Sequence, residues 1–125
     1  MLRLLMVILL AWMPSIVVAG GPAGLWKHTE NPGWIEIDSE TGEGTVVRNE
    51  KYPEREGRVI LKDLAATDEE GVWTAQIYAE TLGEFRKAEV SLPEANRMNF
   101  TVKVGFISRT VEWQRVESLP AETGE

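Results

Sequence analysis

From residue 72 to residue 116 apolar and polar positions alternate in four runs, 72–79, 85–92, 98–104 and 109–116. A period of two places one set of side chains on each face, as a half-buried strand requires. The links between the runs are short: 80–84 with Gly83, 93–97 with Pro93, and 105–108 with Gly105. Four such runs joined by tight links predict an antiparallel meander.

The same pattern continues upstream. Residues 25–28 form a short strand candidate, and Asn31-Pro32-Gly33 is a strong turn signal. Residues 34–38 alternate, with Trp34 and Glu36 on one side and Ile35 and Ile37 on the other. Residues 39–44 read as a turn, 45–48 as a β-branched strand, and 49–57, charged and holding Pro53, as a solvated loop. A strand at 58–64 and a turn at 65–71 complete the series. The expected fold is all-β, a single antiparallel up-and-down β-barrel of about eight strands. Up-and-down order is favoured because Greek keys need a long crossing connection. Closure also removes exposed strand edges.

The first residues follow a different pattern. Met1-Leu2-Arg3 is a short basic start, an apolar run follows to Met13, and Pro14 breaks it. Val17 and Ala19 suit the small-residue positions before a cleavage site, so residues 1–19 read as a secretory signal peptide. The rival, an uncleaved anchor, needs about 20 apolar residues, and the run is shorter. The expected organisation is a signal peptide at 1–19, a barrel domain at 20–117 and a disordered tail at 118–125. A periplasmic or secreted monomer with no transmembrane segment after cleavage follows.

Composition narrows the chemistry. The net charge is −7, which disfavours nucleic acid and simple electrostatic docking on anionic lipid. There is no cysteine, hence no disulfide, thiolate metal site or cysteine nucleophile. His28 is the only histidine, so neither a metal site nor a histidine base has an evident partner set. The acidic clusters Asp68-Glu69-Glu70 and Glu40 with Glu43 lack the spacing of a calcium loop. No serine lies in a Gly-x-Ser-x-Gly context, and Gly42-Glu43-Gly44 lacks the strand-to-helix setting of a phosphate loop. No catalytic residue, metal or cofactor is therefore expected.

Several short motifs occur in a set order. Gly24-Leu25-Trp26 looks like the Gly-x-Trp that opens lipocalin-like barrels. Val59-Ile60-Leu61, Trp73 with Ile77-Tyr78, Gly83-Glu84-Phe85 and the closing Arg109-Thr110-Val111-Glu112-Trp113-Gln114-Arg115-Val116 follow. Over residues 24–116 this order resembles the domain-of-unknown-function family 2147, small secreted bacterial proteins. The chain departs from that pattern at 49–57, which is shortened, and at Ala79-Glu80, where Asp-Pro is usual. The resemblance implies a lipocalin-like barrel outside the cytoplasm and, by analogy of fold, a small apolar ligand. It also implies structural roles for Gly24, Trp26, Arg109, Trp113 and Arg115, with Arg109 or Arg115 lying over Trp26 at the closed end.

Trp34, Trp73, Tyr78 and Phe100 are the candidate ligand-lining residues. Their competing role is core packing, because large inward aromatics tend to fill a small barrel. The expected function is a non-enzymatic, exported carrier of a small hydrophobic or lipid-like ligand. The alternative is a protein-interaction module, an inhibitor or chaperone-like accessory, with a filled barrel.

Overall fold

The structure, a computed structural model, describes residues 21–120. The segment read as a signal peptide and the tail beyond residue 120 lie outside the described residues. Eight antiparallel strands close into one up-and-down barrel. They are β1 (Gly24–His28), β2 (Gly33–Asp38), β3 (Glu43–Asn49), β4 (Val59–Ala66), β5 (Val72–Ala79), β6 (Glu84–Glu94), β7 (Arg97–Val104) and β8 (Ile107–Val116). The only helical turn among the described residues is a 3₁₀ turn at Pro53–Arg55, in the β3–β4 link.

Closure comes from β1 pairing with β8, with Leu25 opposite Val116 and Trp26 opposite Arg115. Inward positions recur every second residue. Trp26, Ile35, Ile37, Val46, Leu61, Ala75, Ile77, Ala88, Val90, Met98, Phe100 and Trp113 form one core cluster. Fully burying one large aliphatic or aromatic side chain contributes roughly 1.5–3 kcal/mol. With no cysteine to cross-link the chain, this cluster carries the fold.

Several element ends differ from the reading of the sequence, and three of them have a clear local cause. β4 continues to Ala66 because its register shifts between Lys62 and Ala65, with Asp63 at φ 58°. A β-bulge absorbs the extra residue, and aspartate tolerates that conformation better than most side chains. β6 continues through Pro93 to Glu94 because its pairing with β7 also shifts there, between Ser91 and Glu94. A proline is accepted in a strand at such a break, where no ladder donor is required. The β7–β8 link shrinks to Gly105-Phe106, since Val104 pairs directly with Ile107. Gly105 has φ 65°, which suits the first central position of a two-residue hairpin turn.

Gly44 lies within β3 and not in a turn. A Cβ there would sit 3.1 Å from Leu61 Cβ and 3.3 Å from Ile37 Cγ1. The missing side chain lets these two core residues close over the strand.

Alternation of strand direction gives the barrel two different ends. The links at 29–32, 50–58, 80–83 and 105–106 gather at one end. The links at 39–42, 67–71 and 95–96 gather at the other, together with the chain entering β1 and leaving β8.

Candidate ligand-binding site

The second of these ends is closed by Trp26 and Arg115. Trp26 has no exposed surface, and its Nε1–H donates to the carbonyl of Pro22 at 2.9 Å. Arg115 Cζ stands 4.3 Å from the centroid of the Trp26 ring. Its guanidinium donates to the carbonyls of Gly21 (2.8 Å), Ala23 (2.7 Å) and Ala95 (2.9 Å). Burial pushes its pKa below the ordinary arginine value. All three acceptors are neutral, so this cation is held by backbone dipoles and an indole face. Gly24 makes the approach possible: a Cβ there would lie 2.8 Å from Arg115 Nη1, and its φ is 127°. Arg109, of the same parity on β8, is exposed and stands six residues away toward the open end.

The open end holds a cavity of about 410 Å³, within the range of small-molecule sites. Its apolar lining comes from Ile35, Val46, Ile60, Ile77, Phe100, Val111 and Trp113. His28, Asn31, Asn49, Lys51, Tyr52, Arg55 and Glu80 surround it with polar groups. The site is thus apolar inside the barrel and polar at the mouth. The loops that supply most of the rim are ordered by their own bonds. Asn49 Oδ1 accepts from the backbone N–H of Lys51 and Tyr52, and Glu56 accepts from the Asn49 N–H. Arg55 lies 4.0 Å over the Tyr52 ring, and Glu80 pairs with Arg58 at 2.8 Å and Arg55 at 3.7 Å.

His28 is at the edge of this cavity. Its Nδ1 accepts from the backbone N–H of Glu30 and of Asn31, at 3.0 and 3.1 Å. Its ring meets Trp113 edge-on at 5.0 Å. Burial lowers its pKa, Glu30 opposes that shift and Lys27 adds to it. The neutral imidazole, protonated at Nε2, is the form those two donors require.

The four sequence-predicted lining residues are not equivalent. Phe100 is buried in the core cluster and faces the cavity. Trp34 and Tyr78 border it, but on strand parity opposite to the inward Ile35 and Ile77. Trp34 is covered by Lys27 and Arg48, whose charged groups lie 5.3 and 5.7 Å from its ring. Tyr78 packs edge-on against Phe85. Trp73 lies near the closed end, opposite Ala66 and Val90, and does not border the cavity.

Trp113, which the family resemblance marks as structural, borders the cavity as well. Its Nε1–H is buried and has no acceptor among the described residues. The rim residues Tyr52, Arg55, Asn49 and Glu80 are not legible in the sequence, where 49–57 reads as a solvated loop. Pro53 inside a charged stretch was the one available signal, marking a turn without its target.

No three His, Asp or Glu side chains converge as a metal site among the described residues. No helix among them is long and apolar enough to cross a membrane, a statement that does not concern strands. No protein-family model, curated protein or solved structure matches the chain.

Proposed function

We propose that this protein is a non-enzymatic, exported carrier that holds a small apolar or lipid-like molecule in the mouth of its barrel. The observation that carries the reading is the cavity of about 410 Å³, apolar inside and polar at its rim. Each methylene buried there contributes roughly 0.8 kcal/mol. The interaction-module alternative calls for a filled barrel. Here the half around Trp26, Leu61, Val90 and Met98 is filled, and the half around Phe100 and Val111 is not. The resemblance in motif order to family 2147 and the signal-like first 19 residues support export.

Native mass spectrometry of protein purified from its own envelope tests the carrier. The expected result is a co-purifying mass of lipid-like size, lost in the cavity-filling variant Val46→Phe. Absence of any such mass, together with equal uptake of an apolar dye by both proteins, would remove the proposal. Export is tested separately: protein of unchanged length in the cytosol of normal cells would contradict the signal peptide.

A further inference from the structure

Five large hydrophobic residues are exposed among the described residues: Tyr52, Leu82, Phe106, Ile107 and Leu119. Four of them lie at the mouth end, Tyr52, Leu82 and Phe106 on its links and Ile107 at the start of β8. Phe106 is fully exposed (108%) and Ile107 is 64% exposed. They form the tip of the β7–β8 hairpin, and Lys103 and Arg109 flank that tip on its two strands. Lys103 and Arg109 make no ion pair among the described residues.

Charge is divided along the barrel axis. The three links at the closed end contain Glu40, Asp68, Glu69 and Glu70 and no lysine or arginine. The mouth links carry Lys51, Arg55 and Arg58 against Glu30, Glu50, Glu54, Glu56 and Glu80, and the β7–β8 hairpin adds Lys103 and Arg109. Several carboxylates there are engaged: Glu80 with Arg58 and Arg55, Glu50 with Arg48, Glu84 with Arg86, and Glu56 with a backbone N–H. The cationic part of the mouth is therefore the β7–β8 hairpin, which holds no carboxylate from Met98 to Val111.

We infer that the mouth end docks on an anionic phospholipid surface, with the Phe106-Ile107 tip entering the interface and Lys103 and Arg109 resting at the headgroups. An aromatic and a branched aliphatic side chain ringed by lysine and arginine suit that boundary, where long cationic stems reach back to phosphate. The turn backbone can enter because Val104 and Ile107 pair across it. A two-residue tip with Phe106 fully exposed offers little of the continuous flat area that a stable protein interface buries. A fluid interface yields to such a tip. The acidic closed end, facing away, sets the orientation and points the cavity opening at the bilayer.

The absence of cysteine allows single-site labelling. A polarity-sensitive probe on Ser108→Cys reports the tip, and the same probe on Asp68→Cys reports the opposite pole. The purified protein is mixed with vesicles of phosphatidylcholine, alone or mixed with phosphatidylglycerol. Expected are a blue shift at Ser108 only, binding that needs phosphatidylglycerol, and weakening by salt. Phe106→Ser/Ile107→Ser should bind at least about tenfold more weakly. Lys103→Gln/Arg109→Gln should weaken binding by about tenfold. Both variants should keep the wild-type melting temperature, because the replaced side chains are exposed. The cavity-filled Val46→Phe should still bind vesicles, which separates this proposal from that of a bound ligand. Equal binding by the serine variant, no binding to either vesicle, or a shift at Asp68 would overturn it. So would a shift at Ser108 without vesicles accompanied by dimers, which would make a second copy the occupant.

Discussion

Arg115 lies over the indole of Trp26, with Cζ 4.3 Å from the ring centroid, and the same guanidinium reaches backbone carbonyls on either side of it. Those carbonyls belong to Gly21 and Ala23, ahead of β1, and to Ala95, in the β6–β7 link. One side chain of the last strand thereby ties the lead-in, the first strand and an opposing turn into one lid. Arg115→Lys loses the planar fork and leaves acceptors short of donors. We expect a loss of roughly 2 kcal/mol or more, read as the midpoint of denaturant unfolding. Trp26→Phe should also destabilise, while ligand uptake at the mouth persists. Loss of uptake at unchanged stability would contradict the structural role of Trp26.

Gly24 and Arg115 should be energetically coupled. Gly24→Ala places a Cβ 2.8 Å from Arg115 Nη1 on a residue with φ 127°. Backbone strain of this kind costs of order 1–3 kcal/mol. Part of the loss comes from displacing the guanidinium, so Gly24→Ala should cost less when Arg115 is already alanine. A double-mutant cycle by thermal unfolding measures the difference, and strict additivity would disprove the coupling.

Acid should weaken the fold through His28. Its folded pKa lies below the ordinary value of 6.5, chiefly through burial. The unfolded chain then takes up the proton first, so the stability contribution is complete above the unfolded value. It is lost as pH falls through the folded value below it. Protonation of Nδ1 would also expel the two backbone donors of Glu30 and Asn31. His28→Asn can accept the same bonds without titrating. Its melting temperature should fall less than that of the wild type between neutral pH and about pH 5. Parallel curves for the two proteins would rule out His28.

Asp63 carries the positive φ of the β4 bulge and is exposed. Asp63→Gly should leave the melting temperature unchanged or raise it, because glycine adopts that conformation freely. Asp63→Val should lower stability by roughly 1–2 kcal/mol, since a β-branched side chain is strained there. Equal melting temperatures for the two variants would show that the bulge relaxes.

Phe100 and Trp73 separate the cavity from the general core. Phe100→Ala enlarges the site and should change the size preference of the bound molecule, at a cost of about 3–5 kcal/mol in stability. Trp73→Phe, near the closed end, should leave uptake unaltered. Dye titration of both proteins at a temperature where each is folded provides the measurement.

Much of this architecture is legible in the chain. The alternation over 72–116, the turn at Asn31-Pro32-Gly33 and the short links dictate antiparallel strands in sequence order, because period and link length are local properties. They leave two things open. Gly44 reads as a turn glycine, and only the approach of Leu61 and Ile37 makes it a strand residue. Trp34 and Tyr78 read as lining candidates, yet parity places them opposite Ile35 and Ile77, so they reach the cavity at its rim.

The sequence by itself determined strand number, strand order and a pair of arginines, Arg109 and Arg115, that share one face of the last strand. Only the closed barrel decided that Arg115 meets Trp26 and that Arg109 stands near the mouth, because strand direction assigns opposite ends of one strand to opposite ends of the barrel. It also decided that Phe106 protrudes and that Phe100 borders open space. Pairing register and the volume left between side chains depend on all eight strands at once, and no single stretch of sequence contains them.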